Sequence, residues 1–390
     1  MGGSDPVRRV LNPAVQRAGS LVLDSPGPLF YGLTTLILLA KCGLGVYPAT
    51  LNALDVARAF PKFPAGYGPN DQWLMTSLAG PALAKLLGIT EWQPYAALHG
   101  VVVLLAVAAL FVFIFRKFGP KAARLSYLAL ALTTAPVFLL TWLGSYDPFT
   151  FALSSFLLLA TGWVGTLVLA FLLGMQHFEQ GVFVCAALLL LMPKRYISRP
   201  LVGASLVGGL VAGKLVLSLY LRSIGVTKGR LDYAVFRGIG NSFQTQLPLV
   251  PLWAFAFLGG AWIWLGYIVA KSGRGSAEVT RALLALAMLM VPSLLTFDQN
   301  RVFSIISWPV ILWLTLYASR KLPPGDARSL AGIGFLTLLV APAVYVWGPA
   351  PATWPVTMVP GGAIAWVVCA IAALLLLLAA PWRPPASAAE

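Results

Sequence analysis

The sequence predicts an all-α fold, a polytopic transmembrane helix bundle, and three observations carry that expectation. Of 390 residues, 59% are hydrophobic and only 10% charged, whereas soluble domains carry about 25% charged residues. The mean hydropathy is +0.84. Several uncharged apolar stretches run about 15 to 20 residues or longer, the length that crosses ~30 Å of hydrocarbon. The basic residues stand in short clusters beside those stretches rather than in one long run, as topology determinants and contacts to anionic headgroups do. A soluble enzyme, a disordered chain and a secreted disulfide scaffold are excluded. The net charge of +15 therefore does not imply nucleic acid as a partner. Cys42, Cys185 and Cys369 lie far apart in apolar stretches, without metal-ligand spacing, and read as small buried or lipid-facing residues.

Residues 1–28 carry Arg8, Arg9 and Arg17 and are broken by Pro13, Pro26 and Pro28. They are expected to form a cytoplasmic segment with no cleaved signal. Apolar spans are expected near 29–46, 95–115, 125–143, 201–221, 249–270, 282–295, 302–318, 331–347 and 361–380. The stretch 149–192 contains no Lys or Arg and is interrupted at Gly162 and at Gln176-His177-Phe178-Glu179-Gln180. Arg116, Lys117, Lys121 and Arg124 precede the third span, and Lys194, Arg195 and Arg199 follow the long stretch. If both clusters are cytoplasmic, the chain from Asp147 crosses an odd number of times. Three short segments satisfy this, with Gly162 near the inner turn and His177 and Glu179 at the outer face. Short, broken helices are tolerated at membrane depth where they line a cavity or pack on protein.

The expected count is about 12 spans, roughly 10 to 13, with both termini cytoplasmic. Residues 29–380 then form a single transmembrane domain and 381–390 a cytoplasmic tail. On this layout 17 of the 27 basic residues lie inside. Asp55, Asp71, Glu91, Asp147, Glu179, Asp232 and Asp298 gather outside, so the positive-inside bias is clear. The first external loop, 47–94, is amphipathic. Its segments 51–60 and 73–87 mix apolar positions with Arg58 or Lys85, as interfacial helices do. A stiff aromatic stretch, 61–69, joins them. Further external segments cover 222–247 and 348–360, and none is long enough to build its own core.

Candidate chemistry lies at the outer face. In a helical 51–60 segment, Asp55 and Arg58 share a face at i,i+3, with Lys62 one turn further on. A carboxylate can take a proton from an attacking hydroxyl, and nearby cations can hold a phosphate leaving group; a plain surface Asp–Arg pair is the alternative. Asp147, in Ser145-Tyr146-Asp147-Pro148, reads equally as a helix-start cap or a functional carboxylate. His177 and Glu179 are costly at this depth and point to a cavity or a partner. At i,i+2 they do not share one face of a regular helix, so no metal site is expected from them. Thr296-Phe297-Asp298-Gln299-Asn300-Arg301 is the densest polar cluster between two spans, with Asp298 and Arg301 at the mouth of the bundle. Arg is the preferred side chain for bidentate phosphate contact, and an Asp–Arg pair pinning the turn is the alternative. Lys214, inside a Gly-rich span, either snorkels or neutralises a lipid phosphate.

There is no phosphate-binding Gly loop, no Gly-x-Ser-x-Gly element, no paired-His zinc protease motif and no haem-binding His pair. At the residues above the chain resembles the GT-C superfamily of integral membrane glycosyltransferases. It is similar in particular to bacterial members without a C-terminal soluble domain, such as polyprenol-phosphate-mannose-dependent enzymes of actinobacterial envelope assembly. The resemblance covers the layout of most of the chain: a first span, a long amphipathic loop bearing Asp55, then a bundle. It implies an inverting transfer of one sugar from a polyprenyl-phosphate donor to a lipid or polysaccharide hydroxyl, on the periplasmic side of a bacterial plasma membrane. Asp55 matches the catalytic base by its place after the first span. Arg58, Lys62, Arg230, Arg237 and Arg301 become candidates for the donor phosphate, and His177 and Glu179 for the acceptor. The loop lacks an adjacent acidic pair or Asp-x-Asp, which leaves Asp71 and Asp147 as rivals. Membrane lipids are the other expected partners, and neither cofactor nor metal is implied. A polymerase of lipid-linked saccharides and a transporter or flippase share this topology and stand as alternatives.

Overall fold

A computed structural model describes residues 6–47, 49–230, 232, 258–272, 276–294 and 299–341. Among these the fold is all-helical, and its one β-type contact is an isolated bridge between Val46 and Leu143. The chain begins with α1 (Pro6–Asp24) and α2 (Gly27–Cys42). The first loop folds into α3 (Thr50–Ala59), a 3-10 helix (Pro69–Thr76) and α4 (Ala79–Leu86); α3 covers the expected 51–60 segment, whereas the expected 73–87 segment is divided between the 3-10 helix and α4. Then come α5 (Trp92–Leu132), α6 (Ala135–Thr141), α7 (Asp147–Leu159), α8 (Trp163–Leu191), α9 (Pro193–Tyr196) and α10 (Pro200–Ser223). The last described elements are α11 (Ala261–Lys271), α12 (Ala277–Leu294), α13 (Gln299–Lys321) and α14 (Pro324–Val340). Proline opens α2, α6, α7, α9, α10 and α14, where its missing N–H costs nothing.

Two of the long helices are hairpins. In α5, Gly119 takes φ 86° and ψ 171° just before Pro120, a conformation glycine adopts freely. The Phe111 and Tyr127 rings then lie 5.0 Å apart, although 16 residues of straight helix would separate them by about 24 Å. The basic cluster 116–124 therefore sits at a turn between two antiparallel segments, as expected. In α8 the backbone leaves the helical region at His177, φ −158° and ψ 80°. A methyl group at Gly181 would lie 3.2 Å from Leu173 Cγ, where a straight helix would place the two turns about 12 Å apart. With α7, this yields the three short segments that the uncharged stretch predicts.

Among the described residues four helices are long and apolar enough by length and composition to cross a membrane, α5, α8 counted with both its arms, α10 and α13, and a fifth span results if α1 and α2 count as one pair bent by 115°. Their surfaces fit that environment. Val101, Leu104, Leu105 and Val112 of α5, and Leu201, Val211, Leu215 and Leu219 of α10, are exposed. Continuous apolar surface of this extent faces lipid or a partner rather than water. By contrast α13 runs through the centre of the bundle, with Ile305, Trp308, Ile311 and Leu314 fully buried.

The most extensive helix contact joins α8 and α10, and small residues make it. Gly209 of α10 would place a methyl group 2.6 Å from Leu167 O; Gly213 lies against Phe171 O and Gly174 of α8 against Leu210 O. Lipid tails give helices no hydrophobic reason to associate, so close backbone approach supplies the van der Waals contact instead. Gly19 and Gly332 do the same between α1 and α14. Pro13 does not break the N-terminal segment as its sequence suggests: α1 runs through it. Burial of Ala18, Leu21 and Val22 offsets the hydrogen bond that proline removes.

Candidate functional site

The amino-terminal ends of α7 and α13, the turn of α8 at His177 and the segment after α10 meet at one end of the bundle. They bring together five expected residues, Asp147, His177, Glu179, Arg230 and Arg301. At their centre stands Tyr146, which the sequence did not single out. The Arg230 guanidinium lies 4.1 Å from the centre of its ring and that of Arg301 5.0 Å, within cation–π range. Arg301 Nη2 donates to the Tyr146 hydroxyl at 2.7 Å, and the Trp142 ring lies 5.1 Å from the same guanidinium.

Asp147 is fully buried beneath these groups, its Oδ2 3.5 Å from Arg301 Nη1. It stands at the first residue of α7, whose N-cap position is Tyr146. The hydroxyl of Ser145 donates to Oδ2 at 3.2 Å and itself accepts the Asp147 N–H at 3.3 Å. The carboxylate faces across the bundle to Arg301.

Arg230 is held on several sides. Its Nε donates to Thr76 Oγ1 at 2.8 Å, and its Nη atoms contact Ser77 Oγ and His177 Nε2. A guanidinium only donates, so Nε2 of His177 is the acceptor. His177 Nδ1 faces Glu179 Oε2 at 3.5 Å. On a regular helix residues at i,i+2 share no face; the break at His177 removes that constraint. Glu179 Oε1 in turn pairs with Lys214 Nζ at 3.4 Å, which gives Lys214 a protein partner inside its span. Gln176 fixes the frame, accepting from Ser77 Oγ at 2.7 Å through its main-chain carbonyl and donating through Nε2 to Tyr146 O at 3.3 Å.

Three cations in this network, Arg230, Arg301 and Lys214, face two carboxylates, Asp147 and Glu179. The excess positive charge, in two forked guanidiniums at an aromatic face, is chemistry that recognises a phosphate or carboxylate. Among the described residues no three His, Cys, Asp or Glu side chains group as metal ligands.

The first-loop candidates form a separate group. Asp55 accepts from Arg58 Nη1 at 3.0 Å and from the Tyr67 hydroxyl at 2.9 Å. Arg58 also donates from Nε and Nη2 to Thr90 O, at 2.8 and 2.6 Å, strapping α3 to the start of α5. Asp55 remains partly exposed, with 37% of its side chain open. Desolvation and the hydrogen bond to Asp55 push the Tyr67 phenol up to about 12, so it stays a donor across the neutral range. Asp71 accepts from Gly68 N at 3.2 Å and holds the loop turn, while Lys62 is exposed. The loop nevertheless docks beside the cluster. Gln72 Oε1 accepts from Thr227 N and Lys228 N, both at 2.9 Å. Val56 and Met75, next in sequence to Asp55 and Thr76, share one apolar cluster with Leu217 and Leu221 of α10. Arg237 and Asp298 lie outside the described residues.

These features define a class: an all-helical bundle with helices of membrane-spanning length and apolarity, and one charged, aromatic-centred cluster at one end. Comparison with protein-family models, with curated proteins and with solved structures finds no match to this chain.

Proposed function

We propose that the chain is a GT-C-like membrane glycosyltransferase of about 12 spans in a bacterial plasma membrane, acting on the periplasmic face. One sugar passes from a polyprenyl-phosphate donor to a lipid or glycan hydroxyl, with inversion. The observation that carries this proposal is the convergence of Arg230 and Arg301 on Tyr146, within a network of excess positive charge and beside the docked first loop. In this scheme the two guanidiniums hold the donor phosphate, and Asp147 fixes Arg301 in place. Asp55, the carboxylate open to an incoming acceptor, accepts the hydroxyl proton. The hydroxyl oxygen then attacks the anomeric carbon, whose bond to the phosphate oxygen breaks. Polyprenyl phosphate leaves with that electron pair, its charge met by the arginines.

The test is transfer in reconstituted membranes from labelled polyprenyl-phosphate mannose, glucose, arabinose or galactose to a native lipid extract. Asp55→Asn is expected to lower the rate by about 10²- to 10⁴-fold, the usual contribution of a general base. A folded Asp55→Asn protein with full activity would remove Asp55 from the reaction and pass the base to Asp147, Asp71 or Asp298.

One observation favours a different function. The broken helix at His177 and the Glu179–Lys214 pair place ionised groups inside spans, as transporters and flippases do. No transfer from any donor by folded protein, with movement of a lipid-linked saccharide between leaflets, would decide for that alternative.

A further inference from the structure

The opposite end of the bundle carries a cavity of about 350 Å³ that takes no part in the cluster around Tyr146. Four cations from three parts of the chain line it: Lys117 before the Gly119 turn, Arg195 after α8, and Arg320 and Lys321 at the end of α13. Among the described residues no acidic side chain lines it. The carboxy-terminal ends of α7, α8 and α13 meet here, and their carbonyls attract cations, which accounts for part of the charge. Lys117 Nζ donates to Leu159 O at 3.5 Å and Arg195 Nη1 to Leu158 O at 3.0 Å. The rest of the charge is not used in this way. Arg195 Nη2 is buried with no hydrogen-bond partner among the described residues. Arg320 is exposed and lies 4.7 Å over the Phe118 ring, and Lys321 is exposed beside it. The stacked rings of Trp313 and Tyr317, 5.7 Å apart, form one wall.

A pocket with a basic floor, an aromatic rim and leucine walls, set where spanning helices end, has the chemistry that holds a lipid phosphate. We propose that this pocket binds a phosphate headgroup, delivered by an anionic phospholipid of the adjoining leaflet. The Arg320 and Lys321 side chains meet the phosphate oxygens, Arg195 adds positive charge beneath them, and the acyl chains leave along the exposed apolar helix faces. The site is independent of the proposed transferase, whose residues lie at the other end of the bundle.

The experiment uses the full-length protein, delipidated in a neutral detergent, with binding of cardiolipin, phosphatidylglycerol and phosphatidylcholine followed by native mass spectrometry and by thermal midpoint. Cardiolipin and phosphatidylglycerol are expected to bind and raise the midpoint, and phosphatidylcholine to do neither. The double variant Arg320→Gln, Lys321→Gln alters only exposed side chains and is expected to weaken anionic-lipid binding by about tenfold or more. Lys117→Gln supplies a second, independent variant from α5. Equal binding of phosphatidylcholine and phosphatidylglycerol, or unchanged affinity in both variants, would overturn the site. Inorganic pyrophosphate provides the arm for a soluble source. Pyrophosphate that raises the midpoint and is not displaced by anionic lipid would overturn the lipid assignment.

Discussion

Asp147→Leu is expected to lower the stability of the folded protein by about 3 to 5 kcal/mol, the usual result of removing one partner from a buried ion pair. The side chains of Asp147 and Arg301 are 0% and 5% exposed and 3.5 Å apart, so the charge that remains has no water to turn to. The double variant Asp147→Leu, Arg301→Leu is expected to recover most of the loss, because both desolvation penalties vanish together. Asp147→Asn keeps an acceptor for the Ser145 hydroxyl and should fall between wild type and Asp147→Leu. The measurement is the thermal midpoint of the four proteins in detergent, scored by the monodisperse fraction after heating. A double variant no more stable than the worse single variant would show that pairing is not what Asp147 contributes. In transfer assays the same series separates two roles: Asp147→Asn should act through Arg301 and weaken donor binding, whereas Asp55→Asn should lower turnover.

The pair also marks where sequence stops being informative. Asp55 and Arg58 were legible as partners because the i,i+3 rule is local and needs only that the segment be helical; their contact is 3.0 Å. Asp147 and Arg301 come from α7 and α13, and pairing them requires the rotation and register of two helices in a bundle, which hydropathy does not encode. What the charge pattern did encode was the end of the bundle to which each residue belongs. His177, Glu179, Arg230, Arg301 and Asp147 were all expected at one face, and they meet there. Both hairpins were legible too, from a basic cluster around Gly119-Pro120 and from a polar interruption at 176–180 in an uncharged stretch.

Tyr146 was missed because an aromatic residue beside a membrane end is usual in interfacial belts. Its distinguishing feature, two guanidiniums from different elements, exists only in three dimensions. The role of Asp147 in its helix was open for a related reason. A cap serves amides further along the helix, and the sequence does not say whether Asp147 turns to them or across the bundle; the structure sets it at the first residue of α7, 3.5 Å from Arg301. His177 shows the reverse case: on a regular helix it shares no face with Glu179, and the broken helix brings the two within 3.5 Å.

One packing signal stands in the sequence itself: Ser205, Gly209 and Gly213 repeat every four residues along α10, the small-residue spacing of close helix pairs in membranes. Gly213→Leu is expected to be the most damaging single change in this helix. Its side chain would have to occupy the position of the Phe171 carbonyl and lie within 3.0 Å of Met175 N. Backbone atoms of α8 cannot rotate aside as a side chain would. The cost should therefore exceed the roughly 1 to 3 kcal/mol of ordinary overpacking. Gly208→Leu is the matched control, since nothing lies within 4 Å of that position and it is exposed. It is expected to be neutral or to stabilise by up to about 1 kcal/mol through helix propensity. The consequence reaches the cluster as well. Lys214 follows Gly213 directly, and its Nζ is 3.4 Å from Glu179 on the facing helix, so prising α10 from α8 separates that pair and loosens the link through His177 to Arg230. A cysteine cross-link scan between α8 and α10 would read the seam directly. Unchanged cross-linking efficiency and thermal midpoint in Gly213→Leu would mean that the two helices are not held by backbone contact, and that the cluster around Tyr146 must be supported from elsewhere.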